Sequence, residues 1–342
     1  MDDFSQPSPR FFAEAGDGDI SCGLCPHSCR IKNGEFGQCG VRGNKGGKAI
    51  IPFYGFISSL SLDPIEKKPL YHYKPGTQIL SLGFAGCNLH CPFCQNWSIS
   101  QNTDIPGRNM KSGEIVSAAL KKNSPSIAYT YSEPLIHTEY LLDCMALAHK
   151  HGIANVLVTN GCIRQNAAKE ILSLTDAANI DLKCFSAQTY KEVLGGNLET
   201  VLDFIRLACE SIHVEITTLV VPDLNDTEKE LSACADFIAG LGARGQEIPW
   251  HLSAYHPDYR WNAPATDPDF LLHTAEASRK KLAFVYTGNI AAADNNTACS
   301  GCGAVLVRRK GYRVDTAGLA TSREGEKNFS CVKCGETTAI VC

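Results

Sequence analysis

Between residues 77 and 289 the chain alternates short apolar runs with longer stretches whose apolar residues recur three and four apart, and few folds satisfy that alternation. The apolar runs read as strands: QILSLGFA (78 to 85), SIAYTY (126 to 131), ANVLVTN (154 to 160), ANIDLK (178 to 183), HVEITTLVV (213 to 221), WHLSAY (250 to 255) and LAFVYTG (282 to 288). Helices are expected at GEIVSAALKK (113 to 122), LIHTEYLLDCMALAHK (135 to 150), TEKELSACADFIAG (227 to 240) and DFLLHTAEASRKK (269 to 281). Repeated strand–helix units make an α/β protein with a mostly parallel sheet, and both a barrel and an open doubly wound sheet satisfy the pattern. The unusual polar residues favour the barrel. Cys87, Glu133, Asn160, Asp181, Lys183 and His256 each stand at or just after the end of a strand, and in parallel barrels those ends form the reactive face. The expected core is therefore a partial (β/α)6 TIM-like barrel over residues 77–290.

Two shorter segments flank it, a cysteine-rich extension over 1–76 and a cysteine-flanked tail over 291–342. The stretch DPIEKKPLYHYKPG, punctuated by proline, reads as loops wrapped over the barrel. Hydrophobic residues make up 44% and charged residues 20%, and no apolar run approaches the ~18 residues of a membrane span. A net charge of −4 gives no overall attraction for nucleic acid phosphates. The opening MDDFSQPSPRFFAEAG lacks the basic start and apolar stretch of a secretory signal, so the chain reads as cytoplasmic.

In a reducing compartment, cysteines placed in short-spaced groups serve more often as metal ligands than as disulfides. Of 17 cysteines here, eleven fall into three such groups. Cys87, Cys91 and Cys94 have the spacing C-x3-C-x2-C directly after the first strand. Three thiolates are one short of the usual complement of a 4Fe-4S cluster, which leaves one iron open to chelate a small molecule. A three-cysteine zinc knuckle completed by His90, or a cluster completed by a distant cysteine, uses the same residues. At the C-terminus Cys299, Cys302, Cys331 and Cys334 form two C-x2-C knuckles at zinc-ribbon separation, which suits a tetrahedral four-thiolate zinc site. Near the start, Cys22, Cys25, Cys29 and Cys39, with His27 among them, suit either zinc or an auxiliary iron–sulfur cluster. Cysteines 144, 162, 184, 209 and 234 read as small core residues, and Cys342 carries no assignment.

The segment GFAGCNLHCPFCQNW, with Phe93 before the third cysteine, resembles the signature loop of the radical S-adenosylmethionine (SAM) superfamily. The resemblance implies a radical SAM barrel in which the open iron binds SAM. YTYSEP (129 to 134) resembles the superfamily's glycine-glycine-glutamate segment, with Tyr131 and Ser132 in place of the glycines, and makes Glu133 the implied acceptor for the SAM amine. VTNG (158 to 161) and DLK (181 to 183) resemble segments of the glycyl-radical-enzyme activating branch, which puts Asn160, Asp181 and Lys183 at the SAM pocket. Val158 stands where that branch often has an acid. SAYHP (253 to 257) adds His256 by the same similarity. CGLCPHSC, DPIEKKPLYHY, GCNLHCPFCQNWSISQ and the paired-cysteine tail together resemble the AmmeMemoRadiSam-system radical SAM enzymes, which are pyruvate formate-lyase activating enzyme-like. That resemblance implies an electron donor such as flavodoxin or ferredoxin, and Memo-like or AMMECR-type proteins as partners. The activity it implies is reductive cleavage of SAM to a 5'-deoxyadenosyl radical that abstracts hydrogen, with activation of a partner protein as one outcome. Two other readings use the same residues. One is RNA or cofactor modification with the basic run VRRKGYR (307 to 313), through Arg308 and Arg309, gripping substrate; the other is a multi-zinc interaction protein with no enzymatic activity.

Overall fold

The first apolar run shows why these segments become strands covered on both faces: Ile79, Leu80, Ser81 and Leu82 are all fully buried. The structure, a computed structural model, describes residues 7–291, 295–321 and 328–342; the opening MDDFSQ lies outside them. Its central sheet begins with β1 (Ser59–Pro64), followed by β2 (Gln78–Gly83), β3 (Ser126–Thr130) and β4 (Ala154–Thr159). It continues with β5 (Ala177–Asp181), β6 (His213–Val220), β7 (Trp250–Ala254) and β8 (Val285–Gly288). Strands β2 to β8 are parallel and adjacent in chain order, while β1 pairs antiparallel with β2 at the edge. A doubly wound sheet reverses its strand order at a switch point; this one never does, so it is singly wound, as in a barrel left open between its first and last strands.

Six helices cross between the parallel strands: α1 (Ser112–Lys121), α2 (Thr138–Lys150), α3 (Gln165–Leu172), α4 (Leu198–Cys209), α5 (Glu228–Ala239) and α6 (Pro268–Ser278). Capping side chains set the starts of the last three. Asn197 accepts from the Thr200 amide, Thr227 from Glu230 and Asp267 from Asp269, with Pro268 opening α6. The alternating faces of the strands have different partners. Leu80, Leu82, Ile127, Tyr129, Leu157, Ile180, Ile216 and Leu252 join the core shared with the helices. Ile79, Ala128, Val156 and Ala177 instead meet Ile65, Leu70 and Tyr73.

The last three residues come from DPIEKKPLYHY, so this segment enters the bottom of the barrel and plugs it rather than wrapping outside. Buried Glu215 of β6 ties the plug down, accepting from the amides of Tyr71 and His72 at 2.9 and 2.7 Å. The C-terminal segment packs beside it, where the Val341 amide donates to His72 O at 2.7 Å and the Lys74 amide to Val341 O at 2.8 Å. Among the described residues no helix is long and apolar enough to cross a membrane.

Candidate active site

The loop after β2 carries three thiols. Cys91 is buried and Cys87 and Cys94 are half-buried, and all three are close enough for their charges to interact. The loop leaves the strand through Gly86, whose φ of +79° favours glycine. A side chain there would also collide with the chain before it, since a Cβ would lie 2.4 Å from the Cys39 carbonyl oxygen. Donors already point at the sulfurs: the Leu89 amide lies 3.3 Å from Cys87 Sγ, Ser100 Oγ 3.2 Å from Cys94 Sγ, and Asn160 Nδ2 3.7 Å from Cys87 Sγ. Burial pushes the Cys91 thiol up to about 11 against the pull of the Lys183 cation, and pushes Cys87 well above its ordinary value, with the Glu133 charge adding to it. Free thiolates are therefore disfavoured here, and bonding to a cationic iron–sulfur core removes that penalty. Three converging thiols with sulfur-directed donors fit a cluster that leaves one iron open.

The other strand ends meet this loop. Glu133 is 1% exposed; its Oε1 accepts from the Leu135 amide at 2.9 Å and Thr159 Oγ1 at 2.6 Å, and its Oε2 from the Asn160 amide at 2.8 Å. Burial pushes its pKa up to about 7, against the pull of those three bonds. Asn160 also donates to Asn88 Oδ1 at 2.9 Å, and Asn88 donates to Cys162 O at 2.7 Å, which locks the end of β4 onto the cysteine loop. Lys183 Nζ pairs with Asp181 Oδ2 at 3.0 Å. Burial opposes the lysine's charge, but Asp181 and Cys91 outweigh it and hold its pKa well above the ordinary value. Phe93 is buried in the core beneath the loop. His256 stands apart from this group: it is exposed, with Nε2 3.3 Å from Asn289 O.

Sequence reasoning missed Asn88 and Thr159, although both lie inside motifs singled out, GCNLHC and VTNG. It also missed the group that holds Tyr131. That residue adopts φ +71°, the left-handed conformation its glycine counterparts would reach freely. Its hydroxyl donates to Asp63, its ring lies under Lys68 Nζ at 4.1 Å, and buried Lys68 pairs with Asp63 at 2.9 Å.

The two outer cysteine groups differ in geometry. The sulfurs of Cys299, Cys302, Cys331 and Cys334 all lie within 4.8 Å of one another, with Cys299–Cys334 and Cys302–Cys331 each at 3.7 Å. A tetrahedral ion with bonds of ~2.3 Å sets its sulfurs about 3.8 Å apart, so this group suits one metal ion. The neighbouring basic strand Val305–Lys310 does not present both expected arginines to solvent. Arg309 donates to Tyr71 O at 2.7 Å and Thr297 Oγ1 at 2.8 Å and stacks on the Tyr71 ring, fastening the ribbon to the barrel plug. It is thus withdrawn from the nucleic-acid role considered for it; Arg308 is exposed.

Comparison with known proteins agrees with this geometry. The radical SAM superfamily profile matches residues 82–235, from the end of β2 into α5. An uncharacterized protein of Methanocaldococcus jannaschii is 39% identical over 337 residues, which span 97% of this chain and 98% of that protein. The pyruvate formate-lyase-activating enzyme of Clostridium pasteurianum is 26% identical over 216 residues, 58% of this chain and 86% of that enzyme. The pyruvate formate-lyase 1-activating enzyme of Escherichia coli K12 is 25% identical over 192 residues, 53% of this chain and 77% of that enzyme. Three thiols at the head of a singly wound parallel sheet agree with the profile match, and together they lead to one assignment: the chain carries a radical SAM superfamily domain, with homology to the pyruvate formate-lyase-activating enzymes.

Proposed function

We propose that Cys87, Cys91 and Cys94 hold the 4Fe-4S cluster that superfamily membership implies, and that SAM lies over its open iron against Glu133, Asn160, Asp181 and Lys183. When bound and reduced, such a cluster supplies the electron that breaks a carbon–sulfur bond of SAM, giving methionine and a 5'-deoxyadenosyl radical. The observation that carries the reading is the state of Glu133. A carboxylate has about four acceptor positions. Three are filled by Leu135, Thr159 and Asn160, which leaves one on Oε2 for an incoming amine. A protonated amine placed there also stabilises the charged form that burial disfavours. Asn160 orients the Cys87 side of the loop, and the Lys183–Asp181 pair brings a half-buried cation beside Cys91. Phe93 closes the floor and His256 stands at the rim.

In this reading the radical takes hydrogen from a glycyl position of a partner protein, as homology to activating enzymes favours, with a flavodoxin or ferredoxin as reductant. The proposal further takes the chain as one of the AmmeMemoRadiSam enzymes that its motifs resemble, with Memo-like or AMMECR-type partners, a cytoplasmic location and zinc in the ribbon over 291–342. Anaerobic reconstitution with iron and sulfide, then dithionite and SAM, is expected to yield 5'-deoxyadenosine, and Cys91→Ala to abolish it. A fully loaded cluster that forms none overturns the reading.

A further inference from the structure

The N-terminal cysteines lie against the back of the active-site loop. Cys22 and Cys25 are buried, and Cys29 and Cys39 half-buried. Cys22 and Cys29 are joined through the backbone, the Cys22 amide donating to Cys29 O at 2.9 Å. Cys25 lies within electrostatic reach of Cys22 and Cys39. Cys29 turns its sulfur to Gly37, where a Cβ would meet it at 3.4 Å. His27 ties the group to the active-site loop, its Nε2 lying 2.7 Å from Asn88 O. The same segment is anchored to the end of β4 through Arg164, whose side chain donates to Cys25 O at 3.3 Å and Ser28 Oγ at 2.6 Å.

Arg42 supplies an independent indication. It is 2% exposed, and its Nη1 and Nη2 donate to Glu139 at 2.7 and 2.8 Å, Nη2 also reaching Arg10 O at 2.6 Å. Its Nε is buried and lacks a well-formed hydrogen bond, and the Cys22 side chain is its polar neighbour there. A buried N–H on a cation is poorly served by a neutral thiol, and an anionic sulfur centre at Cys22 would be the stronger acceptor.

Geometry separates the two metal chemistries that four thiolates accept. Among the described residues, the C-terminal four alone draw three or more sulfurs within 4.8 Å. No three of the N-terminal sulfurs come within that distance, as ligands of one ion would; in a cubane each thiolate takes a different iron and the sulfurs stand farther apart. We propose that Cys22, Cys25, Cys29 and Cys39 hold a second 4Fe-4S cluster, saturated by protein thiolates and packed behind the SAM-binding loop. With no iron left open, such a centre exchanges electrons rather than binding substrate. The proposal goes beyond the SAM-cleavage reading and does not depend on it.

The test uses the full chain purified without oxygen. Wild type is expected to carry about eight irons and about eight sulfides, with about one zinc. The triple variant Cys87→Ala, Cys91→Ala, Cys94→Ala should keep about half the iron and sulfide, with a reduced electron paramagnetic resonance (EPR) signal indifferent to SAM. The double variant Cys22→Ser, Cys25→Ser should lose about half the iron and keep a SAM-responsive signal. A triple variant that folds with no iron, whether it carries zinc at about two per chain or no second metal, overturns the proposal. So does a double variant whose iron equals that of wild type. Failure of wild type to cleave SAM while the triple variant keeps its iron would sink the active-site reading alone.

Discussion

Glu133 serves two purposes that pull against each other. As a strut it joins the ends of β3 and β4; as a ligand acceptor it must keep one oxygen position free and its charge on. Glu133→Gln keeps the size but loses the charge, and a hydrogen bond to a charged group contributes about 1.5–3 kcal/mol. SAM affinity should therefore fall by roughly 10- to 100-fold, measured by titrating the EPR change on the reconstituted cluster; unchanged affinity would remove Glu133 from the pocket. Tyr131 supports a second expectation. Its left-handed backbone costs about 1–3 kcal/mol and is held by the Asp63 and Lys68 contacts. Tyr131→Gly should keep SAM binding, whereas β-branched Tyr131→Val should weaken it by about tenfold or more. Equal affinities in the two variants would show that the backbone turn is not what matters. These residues divide by how they could be read in advance. The candidates Cys87, Cys91, Cys94, Glu133, Asn160, Asp181 and Lys183 stand out in the sequence by cysteine spacing or by standing at or after a strand end, a rule that also selects His256, which lies apart from them. Asp63 and Lys68 do not stand out, because they reach Tyr131 from 63 and 68, across a strand pairing that only the fold creates.

At the level of elements, the seven parallel strands and their order were legible because burial on both faces leaves long apolar runs, and because singly wound crossovers keep neighbours in chain order. β1 was not. Ser59–Pro64 has the serine–leucine alternation of a strand but runs at once into the Pro-punctuated stretch read as loops, and it becomes a strand by pairing with the edge of β2. The plug that follows was also unreadable, since Glu66, Lys68 and His72 look like surface residues and are buried in the folded protein. The ribbon's basic strand misled for the same reason. Arg309 holds the ribbon to the plug through Tyr71 and Thr297, so Arg309→Ala is expected to lower stability by about 1–3 kcal/mol, seen as a shift in the denaturant midpoint. A neutral result would mean that the ribbon docks by other contacts.

For the molecule as a whole, buried titrating groups couple stability to pH. Burial pushes His72 down to about 3, with Glu215 opposing, and His137 down to about 4, with its bond to Ala85 O opposing. Once unfolded, both bind protons below about 6.5, so the folded state loses stability as pH falls from there towards the folded values. Glu133, whose folded pKa is raised, acts in the opposite sense in the cluster-free protein, so the useful comparison is between variants. Relative to wild type, His137→Gln should gain about 2 kcal/mol between pH 7 and pH 5 in unfolding experiments. A difference independent of pH would show that His137 is not held neutral.

The same fold brings the strand ends together around three cysteines, and the account depends on one iron there being free for SAM. EPR of the reduced, fully loaded protein tests this most directly. The account predicts that adding SAM changes the spectrum in wild type and that no SAM-responsive signal remains in Cys87→Ala, Cys91→Ala, Cys94→Ala. A wild-type spectrum that SAM leaves untouched would contradict it.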